Sequence, residues 1–200
     1  MITPPDITFT NYSRKLGQVA LFAKEKMPHL PYHNFSHALD VYSAATTLGF
    51  LEETMEEDRF MLRTAALLHD LIVVPGRTDN EERSVELSES YLPRIGYSSS
   101  EVQRVGQIIL ATKMPQQPKD HLEQILCDAD LDNLGRLDFL ELGEKVRTEL
   151  GIPADDKWYH RQWEFLYNHN YHTNSAHALR DEGKQENLYK LEKIMGVSIC

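Results

Sequence analysis

Three short stretches carry side chains able to do chemistry. In LPYHNFSHALDVY, residues 30–42, His33 and His37 stand four apart. On a helix that spacing puts two side chains on one face, so they could converge on a metal, on a substrate, or only on a packed core. In RTAALLHDLIVV, His69 and Asp70 end an almost wholly apolar run. A charged Asp there is costly unless it is paired or holds a cation. Zn, Fe, Mn, Co and Ni accept imidazole nitrogen with carboxylate oxygen, whereas Mg prefers more oxygen. A helix ending at this point would add its negative dipole end. The dipeptide is equally consistent with a buried His–Asp hydrogen bond and no metal. In ILCDADLDNLG, Asp128, Asp130 and Asp132 crowd behind Ile125 and Leu126. Like charges so close repel one another unless a cation relieves them, though a solvated acidic helix end has the same pattern. The Gly and closing Glu of an EF-hand loop are not at the required offsets.

The elements that must position these residues are helical. NYSRKLGQVALFAKEKM carries a stripe at Leu16, Val19, Ala20, Phe22 and Ala23, closed by Pro31. Asn34 is placed to cap a second helix running to about Leu48, and MEEDRFMLRTAALLHDL reads as a third. VVPGRTDN is a loop punctuated by Pro-Gly. In TDNEERSVELSESYL, Thr78 and Glu81 fit a capping box. Further helices are expected over about Ser99–Lys113, from His121 to a break near Gly135, over Asp138–Leu150, over Asp155–His169, and finally to near Met195. Few segments alternate with period two, so the class is all-α. His160, His169 and His172 sit among aromatics without an evident carboxylate partner, which reads as a packing helix. Glu81 and Glu82 suit a helix start, with Glu82 or Arg83 turning inward as the alternative.

Two hundred residues suffice for one substantial core, and residues 1–200 are expected to form a single helical domain. The net charge of −10 argues against a nucleic acid polymer as partner. It leaves room for a small phosphate ligand, because a bound cation can reverse the local field. Cys127 and Cys200 give no disulfide framework, and Cys127 reads as packing. There is no apolar run of transmembrane length, and MITPPDITFT lacks the features of a signal peptide. The expectation is a cytoplasmic protein without membrane contact, with a homodimer as the default assembly.

The order of the pieces matters more than any one of them. A helix His, then His-Asp some thirty residues on, then a late Asp resembles the HD superfamily of metal-dependent phosphohydrolases, all-α bundles. The resemblance implies His37, His69, Asp70 and Asp130 as ligands of a divalent metal (Mn, Fe, Co, Ni or Zn, with Mg as a further candidate). Asp128 competes for the last place. PYHNFSHALDV looks like the matching stretch of cyclic-nucleotide phosphodiesterases, which gives His33 the role of proton donor to the leaving oxygen. A structural His33 bonded to a backbone carbonyl is the alternative. DNEERSVELSESYL, IILAT, DADLDNLG and HALRDEGKQENL resemble a branch of small stand-alone bacterial HD proteins. In that branch a histidine often follows the IxxT helix, where this chain has Lys113-Met114-Pro115. One ion is therefore expected, and a second, histidine-rich site is in doubt. Lys113 is a candidate for binding substrate phosphate, or is simply solvated.

The implied activity is hydrolysis of a phosphate ester, nucleotide-like or another small phosphorylated metabolite. Water activated by the metal would attack, Asp70 would orient it, and His33 would act as acid. The alternative is a non-catalytic, metal-containing module for ligand binding or regulation. A di-iron oxygenase of the same fold would need extra histidines between Asp70 and Asp130, where only His121 stands.

Overall fold

The structure, a computed structural model, describes residues 4–196, with side chains described from residue 11 onward. Cys200 lies outside the described residues, as do residues 1–3 of the opening segment. Among the described residues there are nine α-helices and no strand. They are α1 (Pro4–Lys26), α2 (Phe35–Leu51), α3 (Glu56–Leu68), α4 (Asn80–Tyr91), α5 (Ser99–Leu110), α6 (His121–Asp130), α7 (Phe139–Glu149), α8 (Asp156–Asn168) and α9 (Asn174–Met195). Short 3-10 turns occupy Leu92–Ile95 and Asp132–Gly135. The all-α bundle expected from the sequence is the fold observed. No helix among the described residues is long and apolar enough to cross a membrane.

The hub is α3, because its sequence offers no solvent face after Phe60: Leu62 through Leu68 are all buried. Its Thr64 hydroxyl is satisfied internally, donating to the Phe60 carbonyl at 2.9 Å and meeting the Tyr97 hydroxyl at 2.8 Å. α1, α2, α5 and α6 pack around α3, and Leu48, Ile108, Ile109, Ile125 and Leu126 are fully buried in the resulting core. A second, smaller core gathers Leu134, Phe139, Leu166, Leu188 and Leu191 beneath α7, α8 and α9.

The last helix is fastened to the 3-10 turn after α6. Arg180 holds the Asp132 carboxylate with both nitrogens, at 2.6 and 3.0 Å. The Asn187 amide donates to the Leu134 and Arg136 carbonyls at 3.0 and 2.8 Å. Such close approach requires glycine on both sides. A Cβ on Gly183 would collide with the Gly135 carbonyl oxygen, and one on Gly135 with the Arg180 backbone.

Caps explain most helix starts, with one correction. Asn34 accepts from the Ser36 and His37 amides at 2.8 and 3.3 Å, as its position before α2 suggests. The expected Thr78–Glu81 capping box does not form: α4 starts one residue later, with Asp79 at its cap and no side-chain cap bond. Competing local pairings explain this. Arg77 takes the Asp79 carboxylate with two bonds of 2.7 Å, and the Asn80 side chain reaches back to the Val74 backbone. A true capping box starts α5, between Ser98 and Glu101. α5 ends at Leu110, three residues before the expected Lys113. α8 ends at Asn168, and His169 is extended (φ −71°, ψ 140°), so His169 and His172 do not share a helical face.

Candidate metal centre

Three helix ends meet at one point: the first turn of α2, the residues just past α3, and the last residue of α6. They bring together His37, His69, Asp70 and Asp130. One ligand atom each from His37, His69 and Asp70 lies within 4.8 Å of the others. His37 Nε2 is 3.6 Å from Asp70 Oδ2 and 3.2 Å from Asp130 Oδ1. His69 Nε2 is 3.2 Å from Asp70 Oδ2 and 3.3 Å from Asp130 Oδ1.

His69 is the most informative of the four. Its Nδ1 lies 2.9 Å from the Ala66 carbonyl oxygen, which can only accept, so Nδ1 carries the proton. Nε2 faces two carboxylate oxygens, and once deprotonated it offers its lone pair to a cation among them. Although buried, it makes no hydrogen bond of acceptable geometry among the described residues. Lone pairs converging from two imidazoles and two carboxylates are the donor set of a divalent metal, and the Nδ1–H bond to a backbone carbonyl is the usual outer support of such a ligand. These residues fit a metal ion. Burial alone would raise the Asp70 and Asp130 carboxyls, but the His69 imidazole, with His33 or His37, more than offsets it and holds both below the ordinary carboxylate range. Burial likewise opposes charging of His69, and Asp70 and Asp130 outweigh it, raising His69 well above 6.5.

The two aspartates of DAD part company. The Asp128 carboxylate accepts from the His172 amide (2.8 Å), the Thr173 amide (2.8 Å) and the Thr173 hydroxyl (2.7 Å). It ties α6 to the start of α9 and faces away from the imidazoles. Cys127 between them is buried, its thiol donating to the Ala111 carbonyl at 3.2 Å, with burial pushing its pKa up.

His33 reaches the centre from outside the helix. It precedes the Asn34 cap, so the i, i+4 face argument does not apply, yet its Nε2 stands 4.0 Å from Asp70 Oδ2. Sequence reasoning missed what holds it there. Glu149, at the end of α7, takes His33 Nδ1 at 2.5 Å through one oxygen. Its other oxygen accepts the Tyr32 and His33 amides at 3.1 and 3.0 Å. Burial opposes a charged His33, but the Glu149 hydrogen bond and the nearby carboxylates win and raise its pKa above 6.5. The Tyr32 ring is 4.8 Å from the His33 ring and 4.6 Å from that of His37, and so buttresses both.

Lys113 lies beyond α5 with its ammonium on the Glu82 carboxylate. Glu81 is half-buried, and burial raises its carboxyl, with Asp70 adding to the rise. His121 is drawn off by Glu52, at 3.3 Å. His169 rests edge-on against Tyr171 at 4.6 Å, and burial pushes its pKa down to about 4.

Comparison with known proteins agrees with this geometry. No protein of curated function matches the sequence. The fold is similar to that of Bacillus subtilis YpgQ, crystallised in complex with ADP: 24% identity over 92% of this chain and 96% of that one, TM-score 0.69. It is also similar to a Lactobacillus plantarum protein, 16% identical over 98% of both chains, TM-score 0.72. The family model of the HD domain matches residues 34–132, which contain His37, the His69–Asp70 pair and Asp130. Over that stretch the chain is an HD domain.

Proposed function

We propose that the protein is a metal-dependent phosphohydrolase that cleaves a small phosphate ester. The observation that carries this reading is the bare Nε2 of His69, aimed with His37 Nε2 at the Asp70 and Asp130 oxygens. His37, His69, Asp70 and Asp130 would hold the ion. Two imidazoles favour Mn, Fe, Co, Ni or Zn over Mg. Bound there, the ion would supply Lewis acidity and an activated water at neutral pH. The Asp70 carboxylate, whose Oδ2 stands 4.0 Å from His33 Nε2, would orient that water. His33 donates Nδ1–H to Glu149, which leaves Nε2 facing the reacting side, where it would protonate the departing alkoxide. Lys113 would reach phosphate only by leaving Glu82. The ADP bound by YpgQ supports a nucleotide-like ester.

The test is phosphate release from phosphomonoesters, cyclic mononucleotides, cyclic dinucleotides and nucleoside triphosphates. Metal-stripped protein would receive Mn, Co, Ni, Zn or Mg in turn. The expected result is metal-dependent turnover that is abolished in Asp70→Ala together with metal binding. In His33→Ala the rate falls about 10²–10⁴-fold while the metal stays. Stoichiometric metal with no turnover on the whole panel would overturn the hydrolase reading in favour of a regulatory module.

A further inference from the structure

A cavity of about 370 Å³ opens between the turn after α6, α7 and α8, and His33 and Tyr32 form the wall it shares with the metal centre. Leu131, Phe139, Val146 and Phe165 make the remaining wall mainly apolar. Asn133, Trp158, Arg161 and Gln162 interrupt it. Trp158, 6% exposed, and Asn133 both line the cavity, and the indole N–H and the amide oxygen are buried without a hydrogen-bond partner among the described residues. A buried polar group left unpaired is destabilising. One such donor and one such acceptor, on residues that line a single mainly apolar cavity beside the candidate proton donor, point to a ligand that supplies their complements.

We infer that this cavity binds the organic part of the ester, a planar ring bearing both a hydrogen-bond acceptor for Trp158 and a donor for Asn133. This rests on the hydrolase reading for its orientation. If His33 protonates the leaving oxygen, whatever that oxygen carries must lie against His33, and the cavity touches His33 but none of the four ligands. Its apolar wall suits an uncharged ring, and its size is at the lower end for small-molecule sites. Trp158 and Asn133 are then specificity residues for the leaving group, drawn from a part of the chain beyond the HD match.

The experiment uses the full chain loaded with Mn and three probes: adenosine 5′-monophosphate, with a ring and both polar edges; phenyl phosphate, with a ring alone; and glycerol 3-phosphate, with neither. Because the chain has two tryptophans, Trp163→Phe leaves Trp158 as the sole reporter. Adenosine monophosphate should change its emission and bind about tenfold more tightly than phenyl phosphate, with glycerol 3-phosphate weakest and silent. Trp158→Phe should weaken the adenosine ester about tenfold and leave glycerol 3-phosphate unchanged. Val146→Trp, filling the cavity, should weaken both ring probes and spare the third, with thermal midpoints confirming that each variant folds. The inference is overturned if neither ring probe binds better than glycerol 3-phosphate, or if Trp158→Phe affects all three alike. Metal-dependent turnover that ignores Trp158 and Val146 would leave the hydrolase standing without this pocket. Ring-selective binding without turnover would leave the pocket standing without the hydrolase.

Discussion

At the scale of single residues, the decisive pair is His33 and Glu149. Glu149 is held below 4.5 because the His33 hydrogen bond outweighs the effect of burial, and His33 is raised above 6.5. The sign follows directly. The histidine's contribution to stability is complete below 6.5 and is lost as pH rises through its raised folded value. The glutamate's contribution is complete above 4.5 and is lost as pH falls through its depressed one. The pair therefore supports the fold fully between those two values. As the proposed proton donor, His33 would stay charged to higher pH than a free imidazole. Glu149→Gln should move the alkaline limb of the pH–rate profile to lower pH and slow turnover about tenfold above neutrality, with metal content unchanged. A profile shifted the other way would exclude Glu149 as the positioning residue. The ligand candidates were legible in the sequence because the order of His37, His69–Asp70 and Asp130 resembles the HD superfamily, whereas each short stretch alone left alternatives open. Glu149, Trp158 and Asn133 were not: each acts across a long stretch of chain, and no local periodicity marks such a partner.

Among elements, the connection of α6 to α9 separates Asp130, which the resemblance favours as ligand, from its competitor Asp128. Asp128→Ala removes three accepted hydrogen bonds and should cost about 3 kcal/mol of stability, read from denaturant midpoints, while the protein still binds metal. Asp130→Ala should do the reverse, losing metal affinity with the fold retained. Loss of metal in both, or in Asp128→Ala alone, would reassign the fourth ligand. The glycine contact makes a second contrast. Gly183→Ala should destabilise by about 2 kcal/mol through overpacking against Gly135. Gly17→Ala, in an exposed helical position with nothing within 4 Å of its Cβ, should be neutral or stabilising by up to about 1 kcal/mol. Helix positions were readable because amphipathic spacing and caps repeat every turn. The Thr78–Glu81 box failed because Arg77 and Asn80 offered stronger local bonds, which a motif of two residues does not register.

For the whole molecule, the centre joins three helix ends, so an ion held there would act as a staple between α2, α3 and α6. Metal at about a hundred times its dissociation constant should add about 2.7 kcal/mol to the stability of the folded chain. The rise in thermal midpoint should shrink as pH falls, because protons compete for His69, Asp70 and Asp130. A midpoint indifferent to metal would mean that these residues hold none. The bond between His33 and Glu149 spans 116 residues, whereas the four ligands lie between residues 37 and 130. The ligands also stand on helices of the larger core around α3, whereas α7 packs on the smaller one and can dock after it. During refolding, then, the chain should regain its capacity to bind metal before α7 arrives to set His33. Stopped-flow metal uptake should run ahead of recovered turnover, and for that interval the protein would be a metal chelator in which the proposed activity is not yet assembled.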